Sequence, residues 1–315
     1  MRIILIYFAV SGLFAQDLVW RKTVPGEELR GAAAGGTREF FTWGRHVLRW
    51  TDQQFREVAR APHGYGEGGC VFDGDQDGHT DLVLAERPAE GVLGRLVWLR
   101  GPSFQPEIID KGVELQDCLP ATLFGRSGFL MIHRHAQVRF YWRQENEWAN
   151  RELYSIYTAS RQGGLALADI DGDGRTDIFC GNYWVRSPTD FDLPWRIFAI
   201  NLHHLEFDAA NFVMAGWPDR LLAAQRERSE TMLRWFRRPS DPRQLWVEDP
   251  GPPVAAPRAI LRTGERAWVG DRAGIRIVPD GPQWATGHPV VALLPGGIAV
   301  GTGMVTRWRV QPLRK

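Results

Sequence analysis

The chain has 315 residues, of which 44% are hydrophobic, and its 38 Lys+Arg nearly balance its 37 Asp+Glu. A net charge this close to zero excludes a broad basic field for nucleic acid, so we expect no nucleic-acid partner. Its 34 glycines and 14 tryptophans favour many short strands joined by tight turns.

Residues 1–16 are predicted to be a secretory signal peptide. Arg2 supplies the positive start, and an apolar run too short to span a bilayer follows it, with cleavage expected after Ala15. The alternative is a buried N-terminal strand. No later run is long and apolar enough to cross a membrane. We therefore expect one domain over residues 17–315, secreted or periplasmic, with no transmembrane segment.

Two acidic stretches share the pattern D-x-D-x-D-G-x-x-D, and each runs directly into an apolar strand. Carboxylates at positions 1, 3, 5 and 9 are hard oxygen ligands, and glycine at position 6 allows the sharp turn that gathers them. We expect two Ca²⁺ sites, to which position 7 contributes its main-chain carbonyl. The predicted ligands are Asp73, Asp75, Asp77, His79 and Asp81 in the first loop and Asp169, Asp171, Asp173, Arg175 and Asp177 in the second. The alternative is a pair of solvated acidic turns.

These loops differ from an EF-hand, which needs a carboxylate at position 12 and a following helix. Position 12 is Leu84 in one loop and Cys180 in the other, and both lie in strand-like sequence. The loops resemble the calcium loop of the FG-GAP/VCBS repeat family, found in integrin-α-type propellers and many secreted bacterial propeller proteins. That resemblance implies a β-propeller with structural calcium, and it implies no particular activity.

A repeat of 48 residues organises the chain. Cys70 and Cys118 are 48 residues apart and the acidic loops 96 apart, and periods in the forties are typical of propellers. Positions 70, 118 and 166 are therefore one repeat position, and the middle copy lacks the acidic ligands. A strand rich in β-branched, aromatic and arginine residues recurs seven times, at 46–50, 95–99, 138–142, 196–200, 232–236, 274–278 and 305–310.

A more polar, edge-like strand follows six of these copies, at 55–60, 104–110, 148–154, 205–212, 245–249 and 283–286. The seventh copy ends the chain, and residues 18–25 resemble the missing strand. We therefore expect an all-β, seven-bladed β-propeller of four-stranded blades, closed by the N-terminal strand, which completes the C-terminal blade. Closure removes two unpaired sheet edges. The alternative is two separate β-sandwiches.

A ligand is expected on the face opposite the acidic loops. Both loops fall between first and second strands, and the segment 182–195, stiffened by proline and rich in aromatic residues, is assigned to the opposite face. The predicted ligand residues are Tyr65, Glu67, Arg134, His135, Arg161, Asn182, Tyr183, Trp184 and Trp195. The alternative is that these aromatic side chains pack on each other.

The repeat also bears on the three cysteines. Cys70 and Cys118 occupy the same position on the inner strands of neighbouring blades, so a disulfide between them is geometrically possible. The alternative is two free thiols. Cys180 falls in a second strand and is expected to be a buried thiol.

These observations favour a secreted, calcium-stabilised binding module for a polysaccharide, peptide or surface protein. The alternatives are an extracellular carbohydrate-active lyase or hydrolase, and a scaffold with no small-molecule site. The sequence contains no G-x-S-x-G stretch, no Gly-rich phosphate loop and no H-E-x-x-H.

Overall fold

The computed structural model describes residues 14–36, 39–90, 92, 94–133, 137–155, 162–201, 210–226 and 228–312. Their regular structure is entirely β, with 29 strands. Among these residues, no helix has the length and apolar character needed to cross a bilayer.

The strands form seven antiparallel sheets, which we number as blades 1 to 7 in chain order. The N-terminal strand is β1 (Phe14–Thr23). Blade 1 contains β2 (Gly31–Ala34), β3 (Glu39–Trp43), β4 (His46–Thr51) and β5 (Gln54–Arg60); blade 2 contains β6 (Tyr65–Phe72), β7 (Asp81–Glu86), β8 (Arg95–Arg100) and β9 (Gln105–Lys111); blade 3 contains β10 (Leu115–Leu123), β11 (Arg126–His133), β12 (Gln137–Gln144) and β13 (Glu147–Ser155).

After a two-residue strand, β14 (Gln162–Gly163), the remaining blades follow in the same manner. Blade 4 contains β15 (Leu165–Ala168), β16 (Asp177–Cys180), β17 (Tyr183–Arg186) and β18 (Arg196–Ala199); blade 5 contains β19 (Ala210–Gly216), β20 (Arg220–Gln225), β21 (Thr231–Arg237) and β22 (Val247–Val254); blade 6 contains β23 (Ala259–Thr263), β24 (Arg266–Gly270), β25 (Ile275–Val278) and β26 (Gln283–Trp284); blade 7 contains β27 (Ala292–Leu294), β28 (Ile298–Val300) and β29 (Met304–Pro312). Strand β14 pairs in parallel with β19.

The core consists of apolar clusters between neighbouring blades. Each of the seven junctions, including the one between blade 7 and blade 1, has its own cluster of buried side chains. The second strands carry most of this burial: all six residues of β7 and all four of β16 are buried. The outermost strands β5 and β9 are largely exposed, because they form the rim. Each sheet is therefore stable because a sheet covers it on either side.

The N-terminal strand closes the ring, as the sequence predicts. Strand β1 pairs antiparallel with β29 from Phe14 opposite Pro312 to Thr23 opposite Met304, and it forms the outer edge of blade 7. Its Trp20 is buried, and its ring centroid lies 6.5 Å from that of Trp50 in blade 1. One strand thus completes a sheet and a blade junction together.

The signal-peptide prediction falls mostly on residues 1–13, which lie outside the described residues. Strand β1 begins at Phe14, one residue before the expected cleavage after Ala15. Cleavage there would remove the first two pairs of the β1–β29 ladder and leave the pairs from Gln16 to Thr23.

The sequence assignment is wrong in blade 4. Residues 196–200, predicted as a third strand, contain β18, the fourth strand, and the third strand is β17. A two-residue turn at Gly181–Asn182, with φ of 56° at Gly181, joins β16 to β17, so the strand starts where a long loop was expected. In the predicted edge strand 205–212, residues 205–209 lie outside the described residues, and the rest begins β19, an inner strand.

Closure by β1 predicts that Trp20→Ala destabilises the whole ring. Truncating a buried Trp costs about 3–5 kcal/mol. The matched control is Leu18→Ala on the same strand, because Leu18 is 43% exposed and its truncation is expected to cost under about 0.5 kcal/mol. Guanidinium unfolding followed by tryptophan fluorescence measures both variants. Equal, small losses for the two variants would contradict closure by β1.

Candidate functional site

The two acidic loops adopt the same backbone conformation, one between β6 and β7 and the other between β15 and β16. At position 6, φ is 85° at Gly78 and 82° at Gly174, a left-handed region that favours glycine. At position 4, φ is 60° at Gln76 and 77° at Gly172, so the first loop holds a non-glycine residue in that region. Blades 2 and 4 therefore carry two copies of one structural unit.

Backbone amides bind the first and last carboxylates of each loop in the same pattern. Asp73 accepts from the amide of Gly78 at 2.9 Å, and Asp169 accepts from that of Gly174 at 3.0 Å. At position 9, Asp81 accepts from Gly74 at 2.9 Å. These bonds fix the loop around its own carboxylates.

The position-9 aspartates also tie each loop to the end of the third strand. Asp81 accepts from the amide of Gly101 at 2.7 Å, and Asp177 accepts from that of Ser187 at 2.8 Å. Both aspartates are fully buried, and burial raises the pKa of Asp81 and raises that of Asp177 to about 7. A buried carboxylate close to others is costly unless hydrogen bonds or a cation offset its charge.

Positions 1, 3 and 9 converge in both loops. One carboxylate oxygen from each of Asp73, Asp75 and Asp81 lies within 4.8 Å of the others, and Asp169, Asp171 and Asp177 form the equivalent group. Both oxygens of Asp75 are buried; Oδ2 pairs with Nε of Arg100 at 2.5 Å, and Oδ1 accepts no hydrogen bond from the part of the chain that the structure describes. Three convergent hard oxygens, one from each carboxylate, are a donor set that suits Ca²⁺.

The remaining predicted metal residues lie at the edge of these groups. The carboxylates of Asp77 and Asp173 accept from the amides of His79 and Arg175, at 2.9 and 3.0 Å. The guanidinium of Arg175 also contacts Asp173. Two arginines that the sequence reasoning missed, Arg100 and Arg186, reach the same acidic groups from the ends of β8 and β17.

A small opening lies on the ring axis at the other end of the inner strands. It has a volume of about 140 Å³ and is lined by residues of six blades, all near the starts of inner strands or the ends of second strands. The acidic loops follow the opposite ends of inner strands β6 and β15. The axial opening and the acidic loops are therefore on opposite faces.

Charged side chains from non-adjacent blades meet at this opening. Arg226 of blade 5 pairs with Asp117 of blade 3 at 2.7 Å, and the amide of Gly164 donates to the same carboxylate at 2.8 Å. Glu67 and Arg258 lie 3.9 Å apart, and both are about half exposed. The first pair fills the axis with a fixed polar contact, whereas the second leaves its polar groups accessible from solvent.

Among the predicted ligand residues, Glu67 reaches the axial opening. Tyr65 is buried in the blade 1–2 cluster, where burial raises its pKa, and Trp184 is buried between blades 4 and 5. Asn182 and Tyr183 lie at the β16–β17 turn on the axial face. Arg134, His135 and Arg161 lie outside the described residues.

Trp195 requires a correction of its predicted face. Because β17 occupies residues 183–186, the loop that follows it returns to the acidic-loop face, where Trp195 packs in the blade 3–4 cluster with Phe191. Their ring centroids are 6.3 Å apart. For Trp184, Phe191 and Trp195, the alternative reading is right: these aromatic side chains pack the blades.

In the structure, Cys70 and Cys118 form a disulfide between the inner strands of blades 2 and 3, with Cα atoms 5.4 Å apart. This separation suits a disulfide. Cys180 lies in second strand β16 as a buried free thiol, and burial raises its pKa to about 12.

Comparison with known proteins supports the fold alone. No family model and no curated protein matches the chain. The WD40 β-propeller domain of Doa1 is similar, with a TM-score of 0.61, 8% identity, and coverage of 94% of this chain and 97% of that one. The β-propeller domain of Cps50 (Swd1) from Myceliophteria thermophila is similar with a TM-score of 0.55 and 10% identity, over 93% of this chain and 99% of that one. A gluconolactonase from Xanthomonas campestris is similar with a TM-score of 0.50 and 10% identity, over 96% of this chain and 92% of that one. Identities this low establish the propeller scaffold and transfer no activity.

The cysteine arrangement predicts that digestion without reductant yields a linked peptide pair containing Cys70 and Cys118. Cys180 is expected to react with an alkylating reagent only after denaturation, because its raised pKa and burial suppress the reactive thiolate. Mass mapping before and after reduction checks both points. Native protein from an oxidising compartment with two alkylatable thiols at 70 and 118 would contradict the bridge.

Proposed function

We propose that this chain is a secreted, calcium-stabilised binding module of the FG-GAP/VCBS type on a β-propeller scaffold. Its ligand, a polysaccharide, peptide or surface protein, binds across the axial opening. The observation that carries this proposal is the placement of that opening, lined by six blades, on the face opposite the two acidic loops. Rigid blades commonly present binding residues in this manner.

The matched geometry of the two loops supports the calcium assignment. In each loop, the same three positions bring carboxylate oxygens within 4.8 Å of one another, and the same amides fix the outer two. A solvated turn needs no such convergence of carboxylates, one of them on a buried residue, in each loop. When bound, the ion would neutralise these groups and fix the turn between two strands, which is a structural role.

The size of the axial opening favours binding over an enclosed reaction. About 140 Å³ is below the roughly 300–1,000 Å³ typical of small-molecule sites, which favours a ligand that lies across the opening over one enclosed in it. The accessible charges of Glu67 and Arg258 at its edge can instead contact a polymer or protein that lies across the surface. Export through residues 1–16 is part of the same proposal, since a disulfide persists in an oxidising compartment.

Calcium removal is expected to lower the melting temperature. At a free calcium concentration 100 times the Kd, one site adds about 2.7 kcal/mol of stability, which chelation removes. Asp73→Ala and Asp169→Ala are each expected to halve the calcium stoichiometry measured by calorimetry, from two ions to one. The control is Asp241→Ala, because Asp241 pairs with Arg243 on an exposed loop. If chelation leaves the melting temperature unchanged and the purified protein contains no calcium, the assignment of the two calcium sites is wrong.

Ligand binding is expected to depend on Glu67 and Arg258 at the edge of the axial opening. A glycan array with and without calcium identifies a carbohydrate probe, and Glu67→Ala and Arg258→Ala are expected to weaken its binding about tenfold, or about 1.4 kcal/mol. Arg243→Ala, on the other face, is the control. Binding without turnover supports the module. Turnover of the glycan, or binding that neither axial variant changes, would contradict it.

A further inference from the structure

An arginine ends the third strand in both blades that carry an acidic loop. Arg100 ends β8, where its Nε lies 2.5 Å from Oδ2 of Asp75 and its Nη2 3.5 Å from Oδ2 of Asp77. The next residue, Gly101, donates its amide to Asp81 of the same loop. The arginine therefore belongs to the structural unit that the loop forms.

Blade 4 repeats this arrangement. Arg186 ends β17, its Nε contacts Oδ2 of Asp171, and its Nη2 lies 3.4 Å from Oδ2 of Asp173. The following residue, Ser187, donates its amide to Asp177. Positions 3 and 5 of both loops thus face an arginine from the same place in the blade.

These arginines are positioned to leave the carboxylates they contact. The Arg100 and Arg186 side chains are 53% and 39% exposed, whereas those of Asp75 and Asp171 are 12% and 11% exposed. An arginine keeps its stem along the protein surface and can turn its charged end into solvent. The aspartates lack that freedom, because they belong to the tight turn.

Blade 5 shows the same strand end without an acidic loop. Arg237 ends β21, and its Nε lies 2.5 Å from Oδ2 of Asp249 on the adjacent outer strand β22. The connection between β19 and β20 is three residues long and contains a single carboxylate, Asp219. An arginine at the end of the third strand therefore contacts the loop between the first and second strands only in the blades where that loop supplies several carboxylates.

We propose that Arg100 and Arg186 compete with the metal for the carboxylates at positions 3 and 5 of their loops. This proposal rests on the calcium sites proposed above. A guanidinium and a divalent cation are alternative partners for the same oxygens, and each repels the other. The arginine lowers the calcium affinity of its loop, offsets part of the carboxylate repulsion when calcium is scarce, and turns outward when the ion binds.

Calorimetric titration of calcium into chelator-treated Arg186→Gln protein tests this competition. With a repelling charge removed, the affinity of one site is expected to rise about tenfold, while the other site keeps its affinity. In excess chelator, the melting temperature of the same variant is expected to fall by roughly 2 °C, because the loop has lost its counter-charge. Arg186→Lys keeps the charge and loses the planar guanidinium. Its calcium affinity is expected to lie between those of the wild type and Arg186→Gln.

Arg237→Gln is the matched control and is expected to leave calcium affinity unchanged. Calcium binding to the wild type with an equal or weaker affinity in Arg186→Gln would overturn the competition and leave the proposed sites intact. Calcium binding that is detected only in the glutamine variant supports the strongest form of the competition. An absence of binding in both proteins overturns the calcium sites and the competition together.

Discussion

Burial of each sheet between its two neighbours is the constraint on which the structure depends. The second strands are apolar on both faces, so an isolated blade would expose two hydrophobic surfaces. Each of the seven junctions has its own apolar cluster, and in the last of them β1, which completes blade 7, adds Trp20 beside Trp50. The ring is therefore a closed cycle of contacts in which each junction supports the next.

This ring separates two kinds of polar site. At one end, the acidic loops concentrate negative charge that the hydrogen bonds of their own amides and the arginines at the strand ends partly offset. At the other end, Asp117 and Arg226 pair across the axis, and Glu67 and Arg258 stand at its edge. One end thus gathers carboxylates in two tight turns, and the other presents the half-exposed charges of Glu67 and Arg258 to solvent.

The repeat made much of this arrangement predictable. A 48-residue period aligned the inner strands of blades 2, 3 and 4, placed Cys70 beside Cys118, and left the N-terminal strand as the missing edge. Prediction failed in blade 4, where β17 and β18 have the same aromatic, β-branched and arginine-rich character. There the tight turn at Gly181–Asn182 decides which of them is the third strand.

The contacts across the axis were out of reach of sequence reasoning, because Asp117 and Arg226 are 109 residues apart and neither carries a local pattern. The strand-end arginines did leave a signal. Arg100-Gly101-Pro102 and Arg186-Ser187-Pro188 each begin at the last residue of the third strand that follows an acidic loop, 19 residues after Asp81 and nine after Asp177. So short a motif does not predict a contact by itself, and only the blade geometry shows that the arginine faces the carboxylates of the loop.

Anomalous diffraction from crystals grown with calcium tests most directly whether cations fix these loops. The expected result is one anomalous peak in each loop, within bonding distance of Asp73, Asp75 and Asp81 in blade 2 and of their equivalents in blade 4. Both peaks would lie on the face away from the axial opening. Crystals with full calcium present and no peak in either loop, or with the ion bound at the axial opening instead, would contradict this account.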